Sequence, residues 1–358
     1  METDAPRLRL PEIAELLRES PSPWGEAVAI EVQDVESARG ADRVLDLLVR
    51  VTWNGLSRTF AAEAKGRSSP STVRAAAQQA EEYASSSNSL PMVVVPYLGD
   101  RQVRMLIERG VSGLDLSGNG VIVVPGVMLL CRTGRPNQYP ESQPARFAYR
   151  GSTSIVPRVF LSRPEYDSVK QIREEIKTRG AVVAPSTVSK ALARMEEDVL
   201  VQRSGDRIVL VQPEELLDRL ASSYRPPRSS RDISLRTSLP LPELFARRPS
   251  SVRLTLTGTA SMPEYAVGAR GDVTAVYCDS VRKLKDALGI AWEETDRFAD
   301  LRVIETRNKE VYFDARERSD GVVCASPVQA YIELNAGDKR DKQMAMQVRD
   351  RVMAGLDR

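Results

Sequence analysis

Residues 43–67 read RVLDLLVRVTWNGLSRTFAAEAKGR, and this stretch decides the fold of the N-terminal part of the chain. Apolar runs lie on both sides of an Asn-Gly dipeptide at 54–55, the strongest short-range signal of a β-hairpin. A two-residue turn fixes which residues of the two strands are paired. Trp53 is therefore predicted to face Leu56, and the register of every other pair follows from that one.

The same register sets Asp46 directly opposite Glu63, with both side chains on one face of the hairpin. Lys65 is two residues farther along the strand and shares that face. Like charges placed opposite each other destabilise a strand pair, so a compensating cation is expected. The other face is predicted to be the core surface, which leaves the carboxylate face free. Apart from Arg58 it carries Leu45, Leu47, Val49, Val51, Trp53, Leu56, Phe60, Ala62 and Ala64.

A divalent metal ion is the natural compensating cation. Mg²⁺ is held by one or two carboxylates and fills its remaining positions with water and phosphate oxygens. Lys65 would then hold the attacking water or stabilise charge on the phosphoryl oxygens. The alternative is an ordinary ion pair from Lys65 to Glu63 or Asp46, in a domain that serves as a binding scaffold.

The segments around the hairpin predict an α/β domain over residues 1–140. Strands are expected at 27–32, 43–53, 56–64 and 91–97, and helices at 11–20, 70–84 and 100–110. Ser69 is the predicted N-cap of the second helix, and Gly110 closes the third. On the second helix, Gln79 and Tyr83 lie one turn apart on one face, where they can position a phosphate backbone.

These residues and their order resemble the PD-(D/E)XK nuclease superfamily, including the Gln-x-x-x-Tyr helix of its RecB-like branch. The chain departs from the motif in having Leu45 where the motif's name has Pro. The resemblance implies a restriction-endonuclease-like α/β fold with Mg²⁺ as cofactor. The catalytic residues it implies are Asp46, Glu63, Lys65, Gln79 and Tyr83, with Asp46 and Glu63 as the metal ligands.

Composition excludes several other chemistries. The chain has 358 residues and no histidine, which removes Ser-His-Asp and Cys-His nucleophiles and His-ligated zinc. Its cysteines (Cys131, Cys278 and Cys324) are few and far apart, which favours a reducing cytoplasm over a disulfide framework. The longest apolar run, 121–131, is too short to span a bilayer, and the N-terminus lacks a signal-peptide pattern. A cytoplasmic protein without a membrane partner is expected.

Residues 150–222 predict a winged helix-turn-helix DNA-binding domain. A helix at 168–180 is followed by APSTVSKALARMEEDVLVQ, with Ser186 as its predicted N-cap and a buried stripe at Val188, Leu192, Met195 and Val199. A hairpin that turns at Ser204-Gly205-Asp206 follows as the wing. The predicted DNA contacts are Ser186, Thr187, Ser189, Lys190 and Arg194 in the major groove, and Arg203 and Arg207 on phosphate or in the minor groove. The alternative is a winged helix used only for protein contacts.

Two arginine-rich segments flank this block and are predicted to be linkers. Residues 132–158 hold five Arg against one acid, and residues 224–248 hold six Arg against two. Both are rich in Pro and Ser. They are either solvated basic linkers or additional phosphate contacts, and their position beside the helix-turn-helix favours nucleic acid.

Residues 250–358 predict a C-terminal α+β domain without a catalytic constellation. LTLTGTAS, DVTAVYC and ASPVQAYIEL…GDKRDKQMA resemble the C-terminal domain of AbiE-type antitoxins of type IV toxin–antitoxin systems. The winged helix resembles the DNA-binding domain of that family. VSGLDLSGNGVI (111–122) resembles an Asp-x-x-Gly-Asn segment of longer relatives that carry an N-terminal nuclease-like domain. The first 140 residues depart from the short antitoxins.

The fold class expected for the whole chain is therefore α/β multidomain. The resemblances imply a bacterial, sequence-specific DNA-binding regulator that represses its operon or opposes a toxin. The alternative is a Mg²⁺-dependent DNA endonuclease of defence or restriction, directed by the winged helix. The expected partners are double-stranded DNA, a toxin protein and a second copy of the chain.

Overall fold

The computed structural model describes residues 8–20, 22–33, 45–140, 146–205, 207–267, 273–295 and 297–356. The chain is mixed α/β, as predicted, and it divides into two compact units, Met1–Ala145 and Arg146–Arg358. We call these the first and the second unit. None of the helices in the described ranges is both long enough and apolar enough to cross a bilayer.

The first unit is built on a seven-stranded sheet whose strands lie side by side in chain order. Its helices are α1 (Leu10–Glu19), α2 (Pro70–Ser85) and α3 (Asp100–Arg109). Its strands are β1 (Val28–Gln33), β2 (Leu47–Trp53), β3 (Leu56–Ala64), β4 (Leu90–Val95), β5 (Ser112–Asp115), β6 (Gly120–Val124) and β7 (Met128–Arg132). Strands β3, β4 and β5 are parallel because α2 and α3 connect them, and the other neighbours are antiparallel.

The hairpin register predicted from the Asn-Gly turn is confirmed. Trp53 pairs with Leu56, and the ladder continues to Leu47 opposite Ala62. Asn54 and Gly55 have φ values of 46° and 77°, which is the left-handed backbone that a two-residue hairpin turn of type I′ requires. Asn tolerates this region better than most residues with a side chain, and Gly adopts it without strain.

Both faces of the sheet are covered, so the expectation that the carboxylate face is left free of the core is wrong. Side chains of α1 and the predicted apolar face of the hairpin form one core, although Leu56 is 48% exposed at the turn. On the other face, α2 and α3 pack against β4 and β6. Ala61 and Glu63 of β3 are buried on that face because the crossover helix α2 packs against their strand.

The first half of the second unit contains the predicted helix, turn, helix and hairpin. Its elements are α4 (Ile155–Phe160), β8 (Glu165–Tyr166), α5 (Val169–Thr178), α6 (Pro185–Glu197), β9 (Val201–Ser204), β10 (Arg207–Leu210) and α7 (Pro213–Ser223). Strand β10 lies between β8 and β9, so a strand ahead of the two helices completes a three-stranded sheet. Of the predicted buried stripe on α6, Val188, Leu192 and Met195 are buried, whereas Val199 lies beyond the helix end with φ at 59°.

The second half of this unit carries a five-stranded sheet in the order β12-β13-β15-β11-β14. Its elements are β11 (Arg231–Arg236), α8 (Leu241–Arg247), β12 (Leu254–Leu256), β13 (Thr274–Cys278), α9 (Val281–Leu288), β14 (Glu293–Glu294), β15 (Leu301–Glu305), β16 (Arg316–Glu317), β17 (Val323–Cys324), α10 (Pro327–Asn335) and α11 (Lys339–Ala354). Ser326 caps the start of α10, and Gly289 caps the end of α9.

The prediction that 224–248 is a linker is wrong for most of that segment. Residues 231–236 form β11, an interior strand between β15 and β14, and residues 241–247 form α8. Leu235, Leu244 and Phe245 are fully buried in the core of this sheet. Five of the six arginines in the segment are exposed, which is why its sequence resembles that of a solvated linker, although its few apolar residues point into the core.

The last part of the predicted linker at 132–158 is likewise structured. Ile155 and Val156 of α4 are buried in a core that the helix-turn-helix elements share with α10 and α11. Val328, Ile332 and Val348 belong to the same core. Within the second unit, the two predicted blocks at 150–222 and 250–358 are thus joined by common packing, and the boundary between them stays a prediction.

Gly258 allows the loop after β12 to lie directly against α10. A Cβ atom at this position would be 2.6 Å from the carbonyl oxygen of Gln329 and 2.9 Å from the Cα atom of Ala330. We expect Gly258→Ala to destabilise the second unit by about 1–3 kcal/mol, because backbone atoms of a packed helix have to move. Denaturant unfolding of the full chain measures this change.

The control for this substitution is Gly99→Ala. Gly99 has an extended backbone, and the nearest atom to an added Cβ is 3.6 Å away. The control should change the free energy of unfolding by less than about 0.5 kcal/mol. Equal effects of the two substitutions would contradict the close-packing argument.

Candidate functional site

The first site is the carboxylate pair, Asp46 and Glu63, with Lys65 beside it. Asp46 lies just before β2, and its Oδ2 atom accepts a hydrogen bond of 3.0 Å from the backbone N–H of Ala64. Lys65 donates a short hydrogen bond from Nζ to Oε1 of Glu63, and the two form an ion pair. The side chain of Glu63 is 5% exposed and that of Lys65 is 26% exposed. The structure therefore brings the three predicted residues together at the ends of two strands.

Burial is the main cause that raises the pKa of Glu63 above its usual value. Its ion pair with Lys65 acts in the opposite direction, and the neighbouring carboxylate of Asp46 raises the pKa further. Two acids in contact in a partly buried site favour a shared proton or a bound cation over two free charges. One lysine does not neutralise both carboxylates.

Asp46 and Glu63 are the residues that could hold a Mg²⁺ ion. Mg²⁺ keeps several water ligands and uses one or two protein carboxylates, which is what Asp46 and Glu63 offer. Across the described ranges, no group of three or more Asp, Glu or Cys side chains is arranged around one point as a larger metal site would require. The remaining positions would be filled by water and by phosphate oxygens of a substrate.

Gln79 and Tyr83 lie one turn apart on α2, outside its buried stripe of Val73, Ala76 and Ala80. Gln79 is exposed and Tyr83 is half-buried. The helix itself packs on β3 and β4, so both residues are carried by the element that covers the face of the carboxylate pair. Their role towards a phosphate backbone stays a prediction.

The segment 111–122 has a structural role that is visible in its hydrogen bonds. Asp115, buried at the end of β5, accepts four of them: from the backbone N–H groups of Leu98, Ser117 and Asn119, and from the side-chain amide of Asn119. Burial raises the pKa of Asp115, and these hydrogen bonds oppose that shift. Its carboxylate oxygens are used inside the protein, which ties the β5–β6 turn to the loop after β4.

The second site is the N-terminal half of α6. Ser186, Ser189 and Lys190 are exposed and Thr187 is half-buried, so a polar and basic surface lies opposite the buried stripe. The prediction that Ser186 is the N-cap is wrong. Ala184 occupies that position with an extended backbone, and Pro185 begins the helix, as suits a proline whose N–H would have no intrahelical partner.

The three predicted DNA-contacting arginines all make ion pairs within the protein. Arg194 is 12% exposed and holds Glu197 and Asp198, which places it in the domain interior. Arg203 pairs with Glu196, and Arg207 pairs with Glu165 across the sheet. The side chains of Arg203 and Arg207 are 57% and 63% exposed, so these surface pairs can exchange for phosphate. Asp206, at the predicted wing turn, lies outside the described residues.

A third feature was not found from the sequence. A cavity in the second unit has a volume of about 410 Å³, and we call it the arginine cavity. Its basic lining residues are Arg150, Arg158, Arg225 and Arg228. All four fall in segments predicted to be linkers. In the sequence, the excess of arginine in these two segments indicates a basic surface, but it does not indicate a cavity.

Comparison of this chain with protein-family models, with curated proteins and with solved structures gave no match.

Proposed function

We propose that this protein is a sequence-specific DNA-binding regulator whose winged helix-turn-helix lies at residues 150–222. The observation that carries the proposal is α6, with Ser186, Ser189 and Lys190 exposed on one surface and a β-hairpin directly after it. A helix with polar and basic residues at its N-terminal end is suited to the major groove. The hairpin arginines would contact the phosphate backbone beside it.

The regulatory role is supported by the resemblance of the winged helix and the C-terminal block to AbiE-type antitoxins. Such a protein would repress its own operon or oppose a toxin partner. A dimer would bind two DNA half-sites related by symmetry. In this proposal the first unit is a scaffold or a reader of DNA phosphates.

The contribution of α6 is tested by Lys190→Ala. We expect affinity for the DNA upstream of the gene to fall on the order of tenfold, because a groove contact is worth about 1–3 kcal/mol. Fluorescence anisotropy at two salt concentrations measures the affinity and its salt dependence. Lys342→Ala, an exposed lysine on α11, is the matched control and should bind as the unsubstituted chain does. The absence of binding by the unsubstituted chain at moderate salt would contradict the proposal.

A second candidate function is Mg²⁺-dependent cleavage of DNA by the first unit. The observation that favours it is the assembly of Asp46, Glu63 and Lys65 at the ends of β2 and β3. Asp46 and Glu63 would hold the ion, which would stabilise negative charge on the scissile phosphate. Lys65 would hold the attacking water or stabilise charge on the phosphoryl oxygens. Incubation of the full chain with plasmid DNA and Mg²⁺ tests this function, since cleavage should require Lys65.

A further inference from the structure

The arginine cavity is strongly asymmetric in charge. Four arginines line it, and Glu310 is the one acidic residue among its lining residues. The carboxylate of Glu310 accepts a hydrogen bond of 3.0 Å from the side-chain amide of Asn308. Arg150, Arg225 and Arg228 are exposed around the opening. A concave surface with one sign of charge concentrates ligands of the opposite sign.

Arg158 provides the innermost positive charge of the cavity. It is 3% exposed, and its Nη1 atom donates to Oε1 of Gln329 at 2.6 Å and to the carbonyl oxygen of Glu310 at 3.1 Å. Its Nε–H is buried and has no hydrogen-bond partner. Its hydrogen bonds go to neutral oxygens, and the carboxylates of Glu310 and Glu333 attract its charge. The unused Nε–H still costs free energy, which an oxygen atom of a ligand would recover.

We infer that the arginine cavity binds a small phosphate-bearing molecule. Arginine is suited to this ligand, because its planar group of N–H donors matches the oxygens of a phosphate in two-point contacts. The volume falls within the range of small-molecule sites. A small molecule is favoured over DNA because Arg158 is almost fully buried. A terminal phosphate can enter the cavity, whereas the backbone of a duplex would be limited to the exposed arginines.

The ligand would contact two parts of the second unit at once. Arg150 precedes α4 and Arg158 belongs to it, at the start of the helix-turn-helix block. Asn308 and Glu310 come from the region after β15. The site is therefore placed where the two halves of this unit share packing. Its lining residues include none of the exposed α6 residues Ser186, Ser189 and Lys190.

The test is isothermal titration of the full chain with inorganic pyrophosphate at constant ionic strength. The unsubstituted chain should show saturable binding of one molecule per chain. Arg150→Ala combined with Arg228→Ala should weaken that binding at least tenfold, because two exposed phosphate contacts are removed. Both residues are exposed, so the fold should be retained, and a thermal unfolding curve checks this.

The matched control is Arg282→Ala combined with Arg351→Ala, two exposed arginines of the same unit that do not line the cavity. It removes the same net charge and should leave the affinity within about twofold. Equal weakening by both pairs, or no saturable binding by the unsubstituted chain, would overturn the inference. If the Arg150 and Arg228 pair weakens binding of a 20-base-pair duplex but not of pyrophosphate, the cavity opening contacts DNA and the inference is wrong.

Discussion

Lys65→Ala should reduce Mg²⁺-dependent cleavage of plasmid DNA by at least 100-fold if the first unit is an endonuclease. Lys65 is the only cation that the structure pairs with Glu63 among the described residues. It is also 26% exposed, so it can reach a substrate phosphate while it borders a largely buried acid. Removal of one group that stabilises developing charge typically costs a factor of about 100–1,000 in rate.

The measurement is the rate of conversion of supercoiled plasmid to nicked and linear forms. Arg58→Ala is the matched control, because Arg58 lies on the same strand at its turn end and is exposed. The control should cleave at the rate of the unsubstituted chain. Asp46→Asn should lose activity as Lys65→Ala does, since Asp46 is one of the two carboxylates that would hold the ion.

Binding and cleavage have to be measured separately. Lys65→Ala should still bind DNA through the second unit, so a gel shift at fixed salt should be nearly unchanged. Equal cleavage by the unsubstituted chain and by Lys65→Ala would indicate a contaminating nuclease and contradict the assignment. No cleavage by either would leave the first unit as a scaffold in a DNA-binding regulator.

The hairpin and its acidic pair could be predicted from the sequence because their determinants are local. The turn at 54–55 permits one register, and the ladder follows it as far as Leu47 opposite Ala62, so Asp46 and Glu63 occupy the next position along each chain. The start of α2 at Ser69 was likewise predicted, because a cap depends on residues within one helical turn. The hydrogen bond from the Ala64 N–H to Asp46 was not predictable, since it depends on how the chain enters β2.

The strand at 231–236 could not be predicted, because its place is decided by tertiary packing. Only Leu235 is fully buried in it, and its neighbours β15 and β14 lie far along the chain. A short strand with few apolar residues has no local signal strong enough to outweigh its arginines. The arginine cavity could not be predicted for the same reason, since Arg150 and Arg228 are far apart in the sequence and line one cavity only in the folded chain.

The sequence predicted which residues of α6 lie on the surface, but not which of their side chains are already engaged in ion pairs. Helical periodicity identifies which residues avoid the core, and Ser189 and Lys190 are exposed as expected. It does not show which exposed positions are occupied by ion pairs, and Arg194 binds Glu197 and Asp198, three and four residues farther along the chain. The part that depends on tertiary packing is the burial of Asp198, which Arg219 of α7 also reaches.

Asp115→Asn should destabilise the first unit by about 3–5 kcal/mol. Each carboxylate oxygen of Asp115 accepts two hydrogen bonds, at distances of 2.7–2.9 Å. An amide replaces one oxygen with an NH₂ group, which would face two donors whichever way the side chain is turned. At least two hydrogen bonds to a charged acceptor are lost, each worth about 1.5–3 kcal/mol, and the donors left behind are buried.

Hydrogen exchange locates the effect within the full chain. The backbone amides of Leu98, Ser117 and Asn119 should lose protection in Asp115→Asn, while those of α6 in the second unit should keep it. Asp100→Asn is the matched control, because Asp100 is exposed at the start of α3 and its loss should cost less than about 1 kcal/mol. Retained protection at Leu98 and Asn119 would show that the β5–β6 turn does not depend on the buried carboxylate. Loss of protection in this segment would instead support the view that the Asp-x-x-Gly-Asn stretch stabilises the parallel strands β3, β4 and β5, of which β3 carries Glu63.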